Sequence, residues 1–596
     1  MVVALVLGSA AMTAVGESAG TAAAAAPARC VAPSAAALPE FFDAGAPVAS
    51  GGVVVSVVSG DRTVFAQGYG TLDAQRSLVR IASITKLFTW TAVMQQVEAG
   101  RLDLNADVNK YLTAFKIPAT YPQPITLLTL MNHTSGFEDR IIGTAARTAG
   151  DVQPLGEYLA KHMPARIRPP GEIVAYSNYG AGLAGYIVAQ VSGEPWDQYV
   201  QRHLLDPLAM THTTATEPVP AALAGDLAAS YDTDVSPAQR VPFQFDQLTP
   251  DGAISTTASD MAHFMIAQLN SGRGILSPAT TALMQSPSYA ADPRLGGYAH
   301  GFMARTINGH RVLMHDGGWE DFGSLLVLVP DCHLGLFVSS NTTSGISALA
   351  KQMPGFYDRF LPPVPAAAVA FTPTGVPVAG FYEPTRHVES TIGKLLNLLS
   401  PARLTVGSDG TVHFRGKKWT PVGDGLYRAT DGSDHLVARG GLVATDGPAY
   451  QMMRRSETLP VNLVVLLVVL SLGLSGLGVL LVAAFRRRPV TLWRAARLLA
   501  SGAATLAVVF LVLTLVVLLG DTSAYLYGVP LNFQLLLALP IVVLLGGTAA
   551  LACTVIGWRR PGAGVIVRSH QIAVLVSLAA FAWFTWQWNL IGWHLG

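Results

Sequence analysis

Four apolar stretches, at about 461–484, 498–520, 533–557 and 571–593, constrain this chain more than any other feature. Each is long enough to cross a bilayer as a helix, and a helix is one of only two structures that satisfy their own backbone polar groups inside hydrocarbon. None carries Asp, Glu, Lys or Arg in its apolar middle, so no ion or proton pathway is indicated and anchoring is the expected role. Arg486, Arg487, Arg488, Arg494 and Arg497 lie between the first two stretches, and Arg559, Arg560 and Arg568 between the last two. Both clusters are expected on the cytoplasmic side. The segment DTSAYLYGVPLN between the second and third stretches has no Lys or Arg and is expected to face outward, as is everything before Val461.

The other end of the chain agrees with that topology. Residues 1–28 open on the apolar run MVVALVLGSA and close on Ala26, Pro27 and Ala28, an A-x-A pattern that reads as a secretory signal, although no basic residue precedes Arg29. Lys plus Arg number 39 against 38 Asp plus Glu, a net charge of +1 that gives no electrostatic case for nucleic acid. Three cysteines, Cys30, Cys332 and Cys553, form neither a disulfide framework nor a metal site. Cys30 and Cys332 can pair if both meet an oxidising compartment; two unpaired thiols are the other reading. There is no H-E-x-x-H pair, phosphate loop or dinucleotide fingerprint, so no metal and no cofactor is implied.

Between the signal and the spans the composition changes twice. VASGGVVVSVVSGDRTVFAQGYG reads as two strands around a Ser-Gly-Asp turn. The region from about 87 to 295 is mostly helical, and 296–341 gives three strand-like segments with turns at Asn308-Gly309 and Pro330-Asp331. One antiparallel sheet with strands from both ends of residues 29–360 is expected. Residues 361–378, rich in Pro and Ala, read as a semi-rigid linker. Residues 379–457 show short alternating segments with Asp-Gly and Gly-Ser turns, a small β-rich module expected to act as a spacer, and 458–596 form the membrane region.

Ser83 and Lys86 lie three residues apart in ASITKLFTWTAVMQQVEAG, one helical turn, and so on one face. A neutral Lys86 amine within reach of the Ser83 hydroxyl can take its proton and generate a nucleophile. Gly100 is the expected C-cap, and the positive end of the helix dipole beside Ser83 favours an alkoxide and a depressed lysine pKa. Alone, an S-x-x-K match is weak, about one by chance in a chain of this length.

Further ordered motifs change its weight: Tyr176-Ser177-Asn178 in PPGEIVAYSN, His315-Asp316-Gly317-Gly318 ahead of a strand, LMNHTSGF around His133, and DGAISTTASDMAHFMIAQL. With these, residues 40–350 resemble the serine β-lactamase and penicillin-binding-protein superfamily, in the class C-like branch that includes DD-peptidases, esterases and D-amino-acid peptidases. The resemblance implies an α/β fold with an antiparallel sheet flanked by helices and a helical subdomain, here followed by the β-rich module and an all-α transmembrane bundle. It implies that Ser83 attacks an acyl carbonyl, that Lys86 and Tyr176 share the proton work, and that His315 lies across the cleft within reach of Tyr176 or the leaving group. Asn178 would hold the substrate amide or Lys86. Gly317 and Gly318 would let the strand approach the substrate, with the Gly318 N–H joining that of Ser83 in an oxyanion hole. His133 to Gly136 would shape a loop rather than react.

Where class C β-lactamases carry Lys-Thr-Gly this chain has His315-Asp316-Gly317, which favours peptidase or esterase activity over β-lactam hydrolysis. Asp316, Glu320 and Asp321 surround the expected strand mouth, so a substrate carboxylate meets like charge there unless an arginine or His315 compensates, and neutral esters or amine-bearing acyl groups are expected to be preferred. The function expected is a membrane-anchored extracytoplasmic serine hydrolase of DD-peptidase or esterase type, acting on cell-wall peptide or small esters and amides. A β-lactamase, or a non-catalytic sensor of penicillin or wall fragments, is the alternative.

Overall fold

The computed structural model describes residues 30–34, 36–43, 51–319, 321–364, 377–399, 401–430, 432, 434–485, 491–520, 522–560 and 563–596. The expected signal, positions 365–376 of the expected linker, Glu320 and Arg486 to Arg488 lie outside the described residues.

The valine run GVVVSVVS forms the strand Gly52–Ser59, buried at every position except its last, as continuous apolar runs must be when both faces of a sheet are covered. It pairs antiparallel with Leu334–Ser340, from Val53 opposite Ser340 to Ser59 opposite Leu334. The sheet has seven strands in the order Arg62–Gly70, Gly52–Ser59, Leu334–Ser340, Phe322–Val329, His310–Trp319, Phe302–Ile307 and Tyr298–Ala299. Both ends of the domain supply strands, as expected. The stretch 296–341 holds four main strands rather than three, because the chain also reverses between Trp319 and Phe322, where Asp321 takes φ +62°. No Gly or Pro marks that reversal.

One face of the sheet is covered by the helices Thr85–Glu98 and Ala258–Leu269, whose Phe88 and Phe264 rings stack 4.3 Å apart. The other is covered by Ala37–Asp43 and Thr343–Phe360, with Leu38, Phe42, Phe356 and Phe360 packed on Val55 and Val338. Cys30 and Cys332 form a disulfide, which ties the start of the described chain to the turn ahead of Leu334–Ser340.

The β-rich module is a closed barrel of eight strands, from Gly380–Pro384 to Ala449–Met452. Its inward positions are filled by Tyr382, Leu404, Phe414, Trp419, Leu436 and Tyr450, so the interior is a packed core.

Among the described residues, four helices are long and apolar enough to cross a membrane: Leu459–Phe485, Leu492–Leu519, Leu531–Gly557 and Val565–Gln587. The third is interrupted at Leu537, one turn before Pro540, which has no N–H for the Leu536 carbonyl. The fourth stops six residues short of the expected 593. Asn589 turns with φ +55° and its side-chain amide donates to the Glu389 and Thr391 carbonyls at 2.8 and 3.0 Å. The bundle thereby meets the rest of the molecule. Gly143 N–H donates to the Tyr525 carbonyl (3.0 Å), Arg147 sits 3.9 Å over the Tyr527 ring, and Ile392 N–H donates to the His594 carbonyl (2.9 Å).

Candidate active site

Ser83 sits in a single 3-10 turn, Ala82–Ile84, that feeds the helix Thr85–Glu98. Ala82 ahead of it holds φ +48°, a left-handed conformation that costs a non-glycine residue about 1 kcal/mol and presents the next side chain sharply. Side-chain hydrogen bonds stitch this helix to the segment 250–254: Thr89 Oγ1 donates to the Pro250 carbonyl (2.7 Å) and Thr85 Oγ1 accepts from Ile254 N–H (3.1 Å). Gly100 follows the helix with φ +70°, in the expected capping position.

The Lys86 side chain is fully buried, and its Nζ lies 2.9 Å from Ser83 Oγ and donates to the Asp251 carbonyl at 2.8 Å. Burial penalises the ammonium and lowers its pKa from 10.5 to about 8, against an opposing pull from Asp251 and Asp246. Asp251 is itself buried, and both burial and the neighbouring Asp246 push its carboxyl well above the usual range.

Tyr176 is held by its neighbours on three sides. His133 stacks on its ring at 4.1 Å, while Lys86 Nζ and the Arg386 guanidinium each lie 5.1 Å from the ring centre. Burial drives the phenol pKa far upward, opposed by the nearby Ser83 hydroxyl and by the Arg386 charge, and the buried phenol oxygen makes no hydrogen bond among the described residues. One low-dielectric environment thus brings the amine's pKa down, so that its neutral, basic form is reached near pH 8, and keeps the phenol a neutral proton donor. His133, expected only to shape a loop, also accepts the Ser177 N–H at Nδ1 (3.1 Å), and its carbonyl takes the Ala175 N–H (2.7 Å). It clamps the Tyr176 segment, and only its place in the LMNHTSGF string hinted at that.

The structure buries His315 in its strand, beside Tyr176. Along His310–Trp319 the side chains alternate, so Asp316 and Gly318 are exposed towards the cleft while His315 and Gly317 are buried against the nucleophile turn. His315 Nδ1 is 2.7 Å from the Asp316 carbonyl, its Nε2 has no hydrogen-bond partner, and its ring centre is 6.2 Å from that of Tyr176 without a hydrogen bond between them. Burial lowers its pKa to about 4, so the ring is neutral at physiological pH.

Gly317 is required by close approach: a Cβ there would stand 2.1 Å from the Ile81 carbonyl oxygen and 3.1 Å from the Ser83 nitrogen. Gly318 borders the cavity with Ser83. Asn178 opens the helix Asn178–Ser192, and its Oδ1 is buried without a partner. It makes no hydrogen bond to Lys86, whose two partners are Ser83 and Asp251.

The cavity, about 380 Å³, is lined by Ser83, Tyr176, Asp316 and Gly318 on one side. Its other wall comes from the barrel, through Pro384, Thr385, Arg386 and Gly447 to Ala449. The barrel is therefore not a spacer. Its contribution is positional, made by strand ends rather than by a motif, and nothing in its composition announced it.

The β-lactamase family model matches residues 44–352, just over half of the chain. Among curated relatives, the protein flp of Staphylococcus aureus (strain N315) is 26% identical over 302 residues, covering 49% of this chain and 60% of flp. The D-alanyl-D-alanine-carboxypeptidase/endopeptidase AmpH of Escherichia coli is 32% identical over 186 residues, covering 30% of this chain and 47% of AmpH. The chain thus spans less than two thirds of these relatives. Among solved structures, a D-stereospecific amidohydrolase from Streptomyces sp. aligns with TM-score 0.45 and 23% identity, over 55% of this chain and 99% of that one. With the extent of the family match and a serine–lysine pair at the head of a sheet-packed helix, the chain belongs to the β-lactamase family.

Proposed function

We propose that this protein is a serine hydrolase of DD-peptidase or esterase type, held at the outer face of a membrane by its four C-terminal helices. The observation that carries this reading is the 2.9 Å contact between Ser83 Oγ and a lysine amine whose pKa is brought down to about 8 by burial. In the first half-reaction the neutral Lys86 amine takes the Ser83 proton as Oγ bonds to the acyl carbon. Negative charge builds on the carbonyl oxygen, for which the N–H groups of Ser83 and Gly318, both at the cavity, are the proposed donors, each worth about 3 kcal/mol. The leaving group departs with a proton delivered through Lys86 and the neutral Tyr176 hydroxyl, which leaves a Ser83 ester. Water then adds to that ester, giving up a proton to the same groups, which pass it to Oγ as the ester bond breaks and the acid product leaves. His315 supports the site from beneath as a neutral ring.

Orientation is supported by the contacts of the bundle. The hydrolase packs on the arginine-free loop through Tyr525 and Tyr527, at the end of the bundle away from Arg494, Arg497, Arg559 and Arg560. The Cys30–Cys332 disulfide fits an oxidising compartment.

The test is incubation of wild type and Ser83→Ala with a fluorophosphonate and, separately, a labelled penicillin, followed by intact-mass analysis. Labelling of wild type alone by the fluorophosphonate is expected. A stable penicilloyl adduct identifies the penicillin-binding type, its absence identifies an esterase, and its rapid loss identifies a β-lactamase. Equal labelling of Ser83→Ala refutes the assignment.

A further inference from the structure

A second cavity, of about 310 Å³, shares no lining residue with the catalytic one and lies where the hydrolase meets the end of the helical bundle. Its apolar wall includes Leu518, in the last turn of the helix Leu492–Leu519, and Phe533, in the first turn of Leu531–Gly557. A helical segment between the first two barrel strands, Ile392–Leu399, forms another wall. Its Lys394 pairs with Glu389 and Glu457 at 2.8 and 3.1 Å, while Ile392 and Leu395 pack with Phe533 in the core of the bundle. The cavity thus sits where apolar helix gives way to polar loop, at the level of lipid headgroups.

The hydrolase supplies the polar rim, and its charges are unequally matched. Glu138 and Asp139 line the cavity but are already engaged: Glu138 accepts from the Ala165, Glu389 and Ser390 N–H groups, and Asp139 from Arg386 Nε. Arg140 and Lys161 line it too, and among the described residues neither forms an ion pair. Arg140 donates Nε to the Tyr158 hydroxyl at 3.2 Å and Nη2 to His162 Nδ1 at 2.8 Å, which leaves Nη1. Gly596 lies beside Nη1 but forms no ion pair with it. Burial, then the Arg140 and Lys161 charges, lower the His162 pKa to about 4, so that ring is a neutral acceptor that orients the guanidinium. Lys161 closes the helix Leu155–Lys161 at an exposed position.

Two cations at the rim of an apolar cavity match an amphiphile with one anionic and one apolar end, and a leaflet around the bundle is made of amphiphiles. We infer that this cavity binds an anionic phospholipid, with its phosphate on Arg140 and Lys161 and one acyl chain along Leu396, Leu518 and Phe533. The inference rests on the reading that the four helices span a membrane. A lipid seated there touches the hydrolase, the barrel and the bundle at once, so it stabilises the joint between them.

The experiment takes the full chain in a neutral detergent and adds phosphatidylglycerol or phosphatidylcholine with identical acyl chains. Retained lipid is counted by native mass spectrometry, and thermal unfolding is followed in parallel. Wild type is expected to hold one phosphatidylglycerol at a concentration about twentyfold below that needed for phosphatidylcholine, about fivefold for each cation. It unfolds at a higher temperature with that lipid bound. Lys161→Gln lowers the preference about fivefold, and Arg140→Gln combined with Lys161→Gln abolishes it. Leu396→Trp, which fills the apolar end, weakens retention of both lipids. Unfolding in detergent alone shows that each variant is folded, and the exposed Lys161→Gln keeps the test valid should Arg140→Gln fail to fold. Glycerol phosphate in large excess does not displace the lipid. Equal retention of the two lipids by wild type, an unchanged preference in Lys161→Gln, or displacement by glycerol phosphate, which marks a small-anion site, overturns the inference. Wild type that stays in the aqueous phase without detergent instead overturns the membrane reading beneath it.

Discussion

The burial of Lys86 makes a quantitative prediction about pH. Moving the amine from 10.5 to about 8 raises the free energy of its protonated form by about 3 kcal/mol relative to water. At pH 7 roughly a tenth of the molecules then carry the neutral base, and at pH 9 roughly nine tenths do. The second-order rate of Ser83 acylation, followed in stopped flow with a chromogenic thioester, is expected to rise about tenfold between pH 7 and pH 9 and then level off. An ordinary exposed lysine would give about a hundredfold rise over the same interval and continue upward past pH 10. Lys86→Met removes the limb and lowers the rate by at least about a hundredfold, the usual contribution of a positioned base. A profile that climbs without a plateau through pH 10, or a Lys86→Met enzyme with the wild-type profile, refutes burial as the source of basicity.

Three other outcomes follow from particular contacts. Gly317→Ala places a methyl group into the Ile81 carbonyl, so the strand must retreat from the nucleophile turn; fluorophosphonate labelling of Ser83 is expected to fall about a hundredfold with a stability loss of about 2 kcal/mol by denaturant titration, and normal labelling would refute the close approach. Arg80→Met strands the buried Glu217 carboxylate, 2.6 Å from the guanidinium in wild type, and is expected to cost about 3 kcal/mol or more. Glu217 already titrates high, at about 7. A raised carboxyl pKa favours the folded protein below that value, so the deficit should shrink from pH 8 towards pH 5; a pH-independent deficit in thermal unfolding would argue against this. With Cys553 replaced by Ala, Tyr527→Cys is expected to react with an impermeant maleimide on intact cells and Arg560→Cys only after permeabilisation, and the reverse pattern would invert the topology.

What was legible in the sequence was local or periodic. Ser83 and Lys86 could be paired because helical geometry converts a spacing of three into contact, and the four apolar helices follow from run length alone. The valine strand and its hairpin partner were equally plain. Parity was not legible at His315: whether the histidine or Asp316 faces the cleft depends on which face of the strand meets Ile81, and a one-residue shift exchanges them. The Asp251 carbonyl that receives Lys86 is a backbone group, invisible to any side-chain pattern. Arg386 lacked a motif altogether, since its position depends on barrel closure and on a partner, Asp139, 247 residues away. The third helix's interruption did have a signal, Pro540, obscured by the uniform hydropathy around it.

The hydrogen bonds of Asn589, the reach of Ile392 to His594 and the pairing of Gly143 with Tyr525 have a mechanical consequence. A hydrolase on a loose tether sweeps a volume and samples every distance its leash permits. One bolted to its bundle at several points works at a constant height and attitude, like a lathe tool in a fixed mount. On the proposed topology, the cleft can process only bonds presented at that elevation above the lipid surface, and sliding in two dimensions takes the place of reaching in three.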